Sequence, residues 1–249
     1  QDAGDYAGLL DQALEKFGWD DVQETLKQRR ANGEMVGVGI ATYCDKSGLG
    51  PTDGSRIFVE PNGSVEIVTG GASIGQGFET AMAQICADAL GVDYRRIKVV
   101  HGRTDRIDYG IGAHASRASV LTGNAVNVTA LKVREKALEM ASELLQAPME
   151  KLDIVNGVVV VTDNPDGPSV TLGEIAEALN PESRSRGDRT PNLSAEEWFY
   201  TDHQTYSYGI QLAIVGVDGG TGDVKIERYL IAYDIGRAIN PKMVEGQLI

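Results

Sequence analysis

The chain has 249 residues, 42% of them hydrophobic, which suits one large domain or two small ones around a real core. Its formal net charge of −13 lacks the basic footprint that phosphate backbones demand, which speaks against nucleic-acid binding and against an anionic membrane surface. No apolar run approaches the length of a bilayer span. Its two cysteines, Cys44 and Cys86, cannot furnish a disulfide scaffold, an iron–sulfur cluster or a four-cysteine zinc site.

In chain order, Gln1 in place of methionine is what a processed or excised chain would show. Asp5 to Phe17 and Asp20 to Ala31 read as two short helices with aspartates near their starts, the second stopped by Asn32-Gly33. Met35 to Cys44 reads as a strand interrupted by Gly37 and Gly39. Arg56 to Glu60, Asn62-Gly63 and Ser64 to Thr69 read as a hairpin, since Asn-Gly is the strongest short hairpin signal. A helix follows, with Phe78, Met82, Ile85 and Ala89 on one face, then a short strand over Ile97 to His101.

A long helix is expected from about Ser119 to Leu145, with Val126, Ala130, Val133, Ala137 and Leu144 on one face. A second Asn-Gly hairpin signal lies at Asn156-Gly157, and Leu172 to Leu179 reads as a short helix. Asn180 to Thr205 is polar, with Arg184, Arg186 and Arg189, and reads as a long loop with a solvated face. Tyr208 to Val217 and Val224 to Asp234 close the chain as two alternating strands. Strands and helices mix without strict alternation, so the expected class is α+β, either undivided over 1–249 or split into subdomains 1–150 and 151–249. Both cysteines, in apolar elements, are expected to be buried and unreactive, and two thiols fit the cytoplasm.

Three segments carry candidate chemistry. Gly70 to Thr80 packs four glycines and Gln76 between a strand and a helix. Glycines there let a ligand approach the backbone, and the first N–H groups of a helix favour anions or oxygen-rich ligands. The spacing fails the dinucleotide fingerprint, and no lysine is present for a P-loop. An ordinary glycine-rich turn is the alternative, but an amide between Gly75 and Gly77 gains nothing from packing. The second segment, Gly110 to Ser119, places Ala115, Ser116, Arg117 and Ser119 before the long helix: a phosphate cradle, or an ordinary serine cap with an exposed arginine. The third runs from Asp234 through Arg237 and Asn240-Pro241 to a second Gly-Gln pair, Gly246-Gln247. Asp234 and Arg237 fit equally an ion pair on that turn. Two Gly-Gln sites suit a ligand rich in amide and carbonyl edges, such as a pterin.

Together these segments resemble the molybdenum-cofactor-binding subunit of the xanthine dehydrogenase and aldehyde oxidase family. Gly75-Gln76-Gly77-Phe78-Glu79-Thr80 is similar to that family's Gly-Gln-Gly-x-x-Thr turn. Ala115 to Ser119, with Gly123 and Ala125, is similar to its serine-rich cofactor loop and helix, and Asp234 to Gln247 to its Asp-x-Gly…Asn-Pro…Gly-Gln stretch. The resemblance implies that family's α+β fold of mixed sheets with packed helices. It implies that Gly75, Gln76 and Gly77 meet the molybdopterin, that Ala115, Ser116, Arg117 and Ser119 hold its phosphate part, and that Gln247 contacts it from a third side. The implied cofactor is molybdopterin or molybdopterin cytosine dinucleotide with molybdenum.

The implied reaction is hydroxylation of an aldehyde or N-heterocycle with water-derived oxygen. Iron–sulfur clusters and FAD are expected on partner chains or domains. The family's base glutamate lies after the third motif, and no glutamate of this chain matches it. The chain therefore reads as the central part of a cofactor domain, inactive in isolation, with no catalytic residue and no protein metal ligand of its own. A non-catalytic cofactor-storage protein and a scaffold fragment without ligand are the alternatives.

Overall fold

The computed structural model describes residues 4–249; Gln1, on which the expectation of a processed start falls, lies outside them. The elements are α1 (Tyr6–Phe17), α2 (Trp19–Ala31), β1 (Met35–Ser47), β2 (Thr52–Val59), β3 (Val65–Thr69), α3 (Phe78–Leu90), β4 (Ile97–Val100) and α4 (Gly123–Leu145). They continue with β5 (Leu152–Val155), β6 (Val158–Val161), β7 (Asn164–Thr171), α5 (Leu172–Ala178), β8 (Ser194–Tyr200), β9 (Thr205–Val217), β10 (Val224–Asp234) and α6 (Pro241–Gly246). The fold is α+β, as expected. The chain forms two units that are not its sequential halves: one runs up to Ser47 and resumes at Thr205, the other is Gly48–Gln204. The reason is β9, which pairs antiparallel with β1 along its whole length, from Met35↔Val217 to Ser47↔Thr205.

In the first unit, β1, β9 and β10 form an antiparallel sheet in that order. Alternation puts Ile210, Leu212 and Ile214 on one face, where they bury against Ala13 and Phe17 of α1 and Val22 and Leu26 of α2. Asp5 caps α1 by accepting from Gly8 N at 2.8 Å. Gly18, at φ 67°, ends α1 and begins α2. Cys44 corrects an expectation: it lies on the edge strand β1 and is exposed, whereas Cys86 is buried and its thiol is pushed up to about 12 by burial alone.

In the second unit, β4, β3, β2 and β8 form a mixed sheet in that order, and β5, β6 and β7 a small antiparallel one. Only β3 and β4 pair in parallel, so the chain must cross between them, and α3 is the crossover. One core joins Ile57, Val59, Val65 and Ile67 of the sheet to Phe78, Met82 and Leu90 of α3 and Val126, Ala130, Val133 and Ala137 of α4. Leu144, expected on that face, is exposed. Both Asn-Gly hairpins form; Asn156 and Gly157 take φ of 50° and 81°, the pair of positive values a tight hairpin turn requires.

The polar stretch 180–205 is not all loop. Its second half is β8, paired with β2, where Arg56 and Glu196 meet across the ladder at 2.5 Å. Arg186 and Arg189 are partly buried rather than forming a solvated face, and Arg189 pairs with Glu143. Among the described residues no helix is long and apolar enough to cross a membrane. The packing predicts a contrast in the second unit. Ile67→Ala should cost about 2–5 kcal/mol, whereas Leu131→Ala on the exposed side of α4 should stay within about 0.5 kcal/mol; chemical denaturation curves measure both.

Candidate functional site

The glycine turn leaves the carboxyl end of β3 and enters α3. At Gly70 it presses against the second candidate loop: an added Cβ would meet Tyr109 O at 2.3 Å, and one on Gly110 would meet Gly70 O at 2.5 Å. The two backbones therefore lie in direct contact, and no side chain fits at either position. A Cβ on Gly71 would meet the Phe78 ring at 2.6 Å and Thr122 Oγ1 at 3.0 Å, so the starts of α3 and α4 converge on this turn.

Beyond the crossing the turn opens. Gly75 and Gly77 take φ of 99° and 77°, and nothing lies within 4 Å of a Cβ built on Gly75. Gln76 Oε1 accepts from Ile74 N at 2.7 Å, and its Nε2 donates to Ala72 O at 3.3 Å. The amide thus stiffens its own turn and keeps one N–H and one lone pair for a ligand. Gly77 supplies no side-chain cap to α3, so that helix keeps backbone donors for an incoming acceptor. Glu79, in the first turn, accepts from Ser73 Oγ at 3.0 Å and from His101 Nε2 at 2.9 Å. A backbone hydrogen bond at Glu79, then His101, hold its carboxyl below the usual glutamate range. His101 in turn sits edge-on to the Phe78 ring, 5.4 Å between centroids.

The second loop enters α4 through two strained residues and an irregular turn. Ala115 and Ser116 both take the left-handed conformation, at φ 48° and 51°, which side chains disfavour. Such outliers collect at ligand clamps. Ala118–Thr122 then winds as a π-helix before α4 proper, a feature frequent at functional sites. Ser116 and Ser119 are exposed, and neither provides a side-chain cap, which corrects the serine-cap expectation.

Arg117 is neither exposed nor turned outward. Both it and Asp53 have side chains with no solvent exposure, and they pair at 3.0 Å. The guanidinium also donates to Leu49 O at 3.2 Å, Gly112 O at 3.2 Å and Thr52 O at 2.9 Å. It faces the protein behind the loop, which corrects the expectation of an exposed arginine. Asp53 was missed by sequence reasoning. A lone acid inside β2 is the available signal, but its partner stands 64 residues away.

The third segment belongs to the first unit. Asp234 does not pair with Arg237; its oxygens accept from Tyr208 Oη at 2.9 Å and Gly236 N at 2.8 Å. Desolvation, then Asp234, push the Tyr208 phenol up, keeping it a neutral donor. Asn240 caps α6 by accepting from Met243 N at 3.0 Å, with Pro241 in the first turn, and Gln247 closes that helix.

Among the described residues no group of three or more His, Cys, Asp or Glu could hold a metal ion. The chain offers spare backbone donors, an amide, two exposed hydroxyls and an open glycine, a set that fits an anionic, oxygen-rich organic ligand with amide edges.

Comparison with known proteins agrees with that chemistry. The model of a molybdopterin cofactor-binding domain matches residues 12–249. The chain is 36% identical over 248 residues to the 6-hydroxypseudooxynicotine dehydrogenase complex subunit gamma of Paenarthrobacter nicotinovorans, covering 100% of this chain and 31% of that protein. It is 31% identical to the carbon monoxide dehydrogenase large chain of Hydrogenophaga pseudoflava, covering 99% of this chain and 32% of that one. It superposes with a TM-score of 0.88 on reconstituted CO dehydrogenase from Oligotropha carboxidovorans, 30% identical, over 99% of this chain and 32% of the other. The chain thus spans about a third of the length of the curated relatives it matches. The chain belongs to the molybdopterin cofactor-binding domain family, that of the molybdenum-binding subunits of the xanthine dehydrogenase type.

Proposed function

We propose that this chain is the cofactor-holding part of a molybdenum hydroxylase that oxidises an aldehyde or N-heterocycle, with iron–sulfur and flavin partners taking the electrons and the cytoplasm as its compartment. The observation that carries the reading is the open glycine turn at the uncapped start of α3, crossed at Gly70 by a loop that holds two left-handed residues beside exposed serines. A bare helix start and a strained loop persist where a ligand completes them. When bound, the molybdenum cofactor supplies the two-electron chemistry and the site for the water-derived oxygen.

The chain's own residues hold and orient that group. Gly75 and Gly77 offer backbone, and Gln76 its spare N–H and lone pair, to the pterin edge. Ala115, Ser116 and Ser119 offer backbone and hydroxyl donors to phosphate oxygens, the plain molybdopterin phosphate or the longer cytosine dinucleotide. By the family resemblance, Gln247 of the first unit is a further candidate amide. Arg117 takes part through the loop it anchors. No glutamate here is assigned as base, so turnover requires parts of the protein beyond these residues.

Gln76→Ala in the complete protein tests the site. Losing one amide partner is worth about 1 kcal/mol, so molybdenum per protomer under dilution should fall about fivefold while circular dichroism is unchanged. Retention equal to wild type removes Gln76 from the site. Glu79 gives a pH test. Its folded carboxyl is held below the unfolded range, so the stability it contributes is present above that range and lost as pH falls through it. Thermal melts of wild type and Glu79→Gln should differ at pH 7 and converge as the pH falls below the ordinary glutamate range; a constant gap would show that the charge on Glu79 does not hold the turn.

A further inference from the structure

The second loop is anchored at both Arg117 and Thr122 to one buried carboxylate. Asp53 Oδ2 accepts from Arg117 Nη1 at 3.0 Å and from Thr122 Oγ1 at 2.5 Å, and Oδ1 accepts from Gly54 N at 3.0 Å. Arg117 ties Leu49 O, just before β2, and Thr52 O, at its first residue, to Gly112 O of the loop. Gly112 N donates to Gly70 O at 3.4 Å, which carries the same anchor to the glycine turn. Ser116 directly precedes Arg117, and Ser119 lies in the π turn that ends at Thr122. Four of the five guanidinium N–H groups have partners within the protein.

We propose that Asp53, acting through Arg117 and Thr122, is the positioning residue of this loop, holding Ala115, Ser116 and Ser119 in place from behind, and that Arg117 makes no contact with the ligand's phosphate. The inference rests on the cofactor reading above. It differs from a direct phosphate contact in what each substitution does. A direct contact depends on charge, so Arg117→Lys would keep much of it, and Asp53→Asn would free the guanidinium and leave retention intact. A brace depends on a planar fork with fixed acceptors, which an ammonium cannot replace. Asp53→Asn and Arg117→Lys should then each weaken retention about tenfold, and the double variant no further, because both break one unit.

The experiment measures molybdenum and pterin per folded protomer of the complete protein, with trypsin cleavage at Arg103 and Arg106 on cofactor-stripped protein as a second readout. The expected result is about tenfold loss of cofactor and about tenfold faster cleavage in both single variants. Wild-type retention in Asp53→Asn, or near-wild-type retention in Arg117→Lys, overturns the proposal. So does a lower melting temperature with unchanged cofactor content and cleavage, the pattern of a merely structural pair. Should the charge variants fail to fold, Thr122→Val removes one donor and keeps the pair; a loss of about threefold with faster cleavage supports the brace, and no change in either overturns it. If wild-type protein carries no molybdopterin, the cofactor reading fails by itself, and the cleavage rates still decide the brace.

Discussion

A carboxylate and a guanidinium with no access to water organise the second unit. Taking two such charges out of water costs several kcal/mol each, and their attraction offsets this only when the remaining donors and acceptors are satisfied. Here nearly all are: Asp53 accepts from Arg117, Thr122 and Gly54, and Arg117 reaches three carbonyls besides. An apolar pair of the same volume would serve the core as well or better. What it could not do is fix three backbone carbonyls, a β-strand and the start of a helix to one point with directional bonds. The pair therefore reads as a device for placing backbone rather than for stability.

Placement matters because the surrounding loop is held against its own preferences. Ala115 and Ser116 in succession at positive φ, followed by a π turn, form a conformation a free peptide would leave. Strain of about 1–3 kcal/mol per such residue persists only where neighbours over-determine it. Arg117 follows immediately, and its bonds tie Gly112 O of the same loop to Leu49 O of the segment before β2. The glycine turn is governed differently. It is shaped from within, by Gln76 closing on Ile74 N and Ala72 O and by Glu79 holding Ser73. One loop is thus braced from the core and the other by its own side chains, and they meet at Gly70 and Gly110, where neither tolerates a Cβ.

Local chemistry made much of this legible in sequence. Asn-Gly pairs specify hairpins through two residues that accept positive φ, and apolar periodicity specifies α3 and α4, so these emerged directly. Glycines around Gln76 marked a turn for the same reason, and Gly75 and Gly77 take positive φ. Other features depend on partners distant in the chain. β8 was hidden because Glu196 and Glu197 give it a polar look; its place is set by pairing with β2 and by Arg56 opposite Glu196. β7 carries Pro165 and Pro168, which suppress a strand reading, and it survives as an edge strand. The two units could not be drawn as sequential halves, because β9 takes β1 as its partner across the entire second unit.

Arg117 shows most clearly where local reading ends. A guanidinium between two serines at a helix start suggests a phosphate contact on charge grounds, and nothing within ten residues argues otherwise. The decisive fact is Asp53, which reads in isolation as an odd acid in a strand. Once the fold brings them together, electrostatics assigns the guanidinium inward, because leaving that carboxylate buried without its partner would cost more than an exposed phosphate contact returns. On the proposed reading, the phosphate-facing work passes to the groups the brace leaves outside: backbone donors at strained φ and the hydroxyls of Ser116 and Ser119. Neutral donors fixed by a buried charge lose little freedom when a ligand arrives, which is how a loop on an acidic protein can favour an anion without presenting a cation to it.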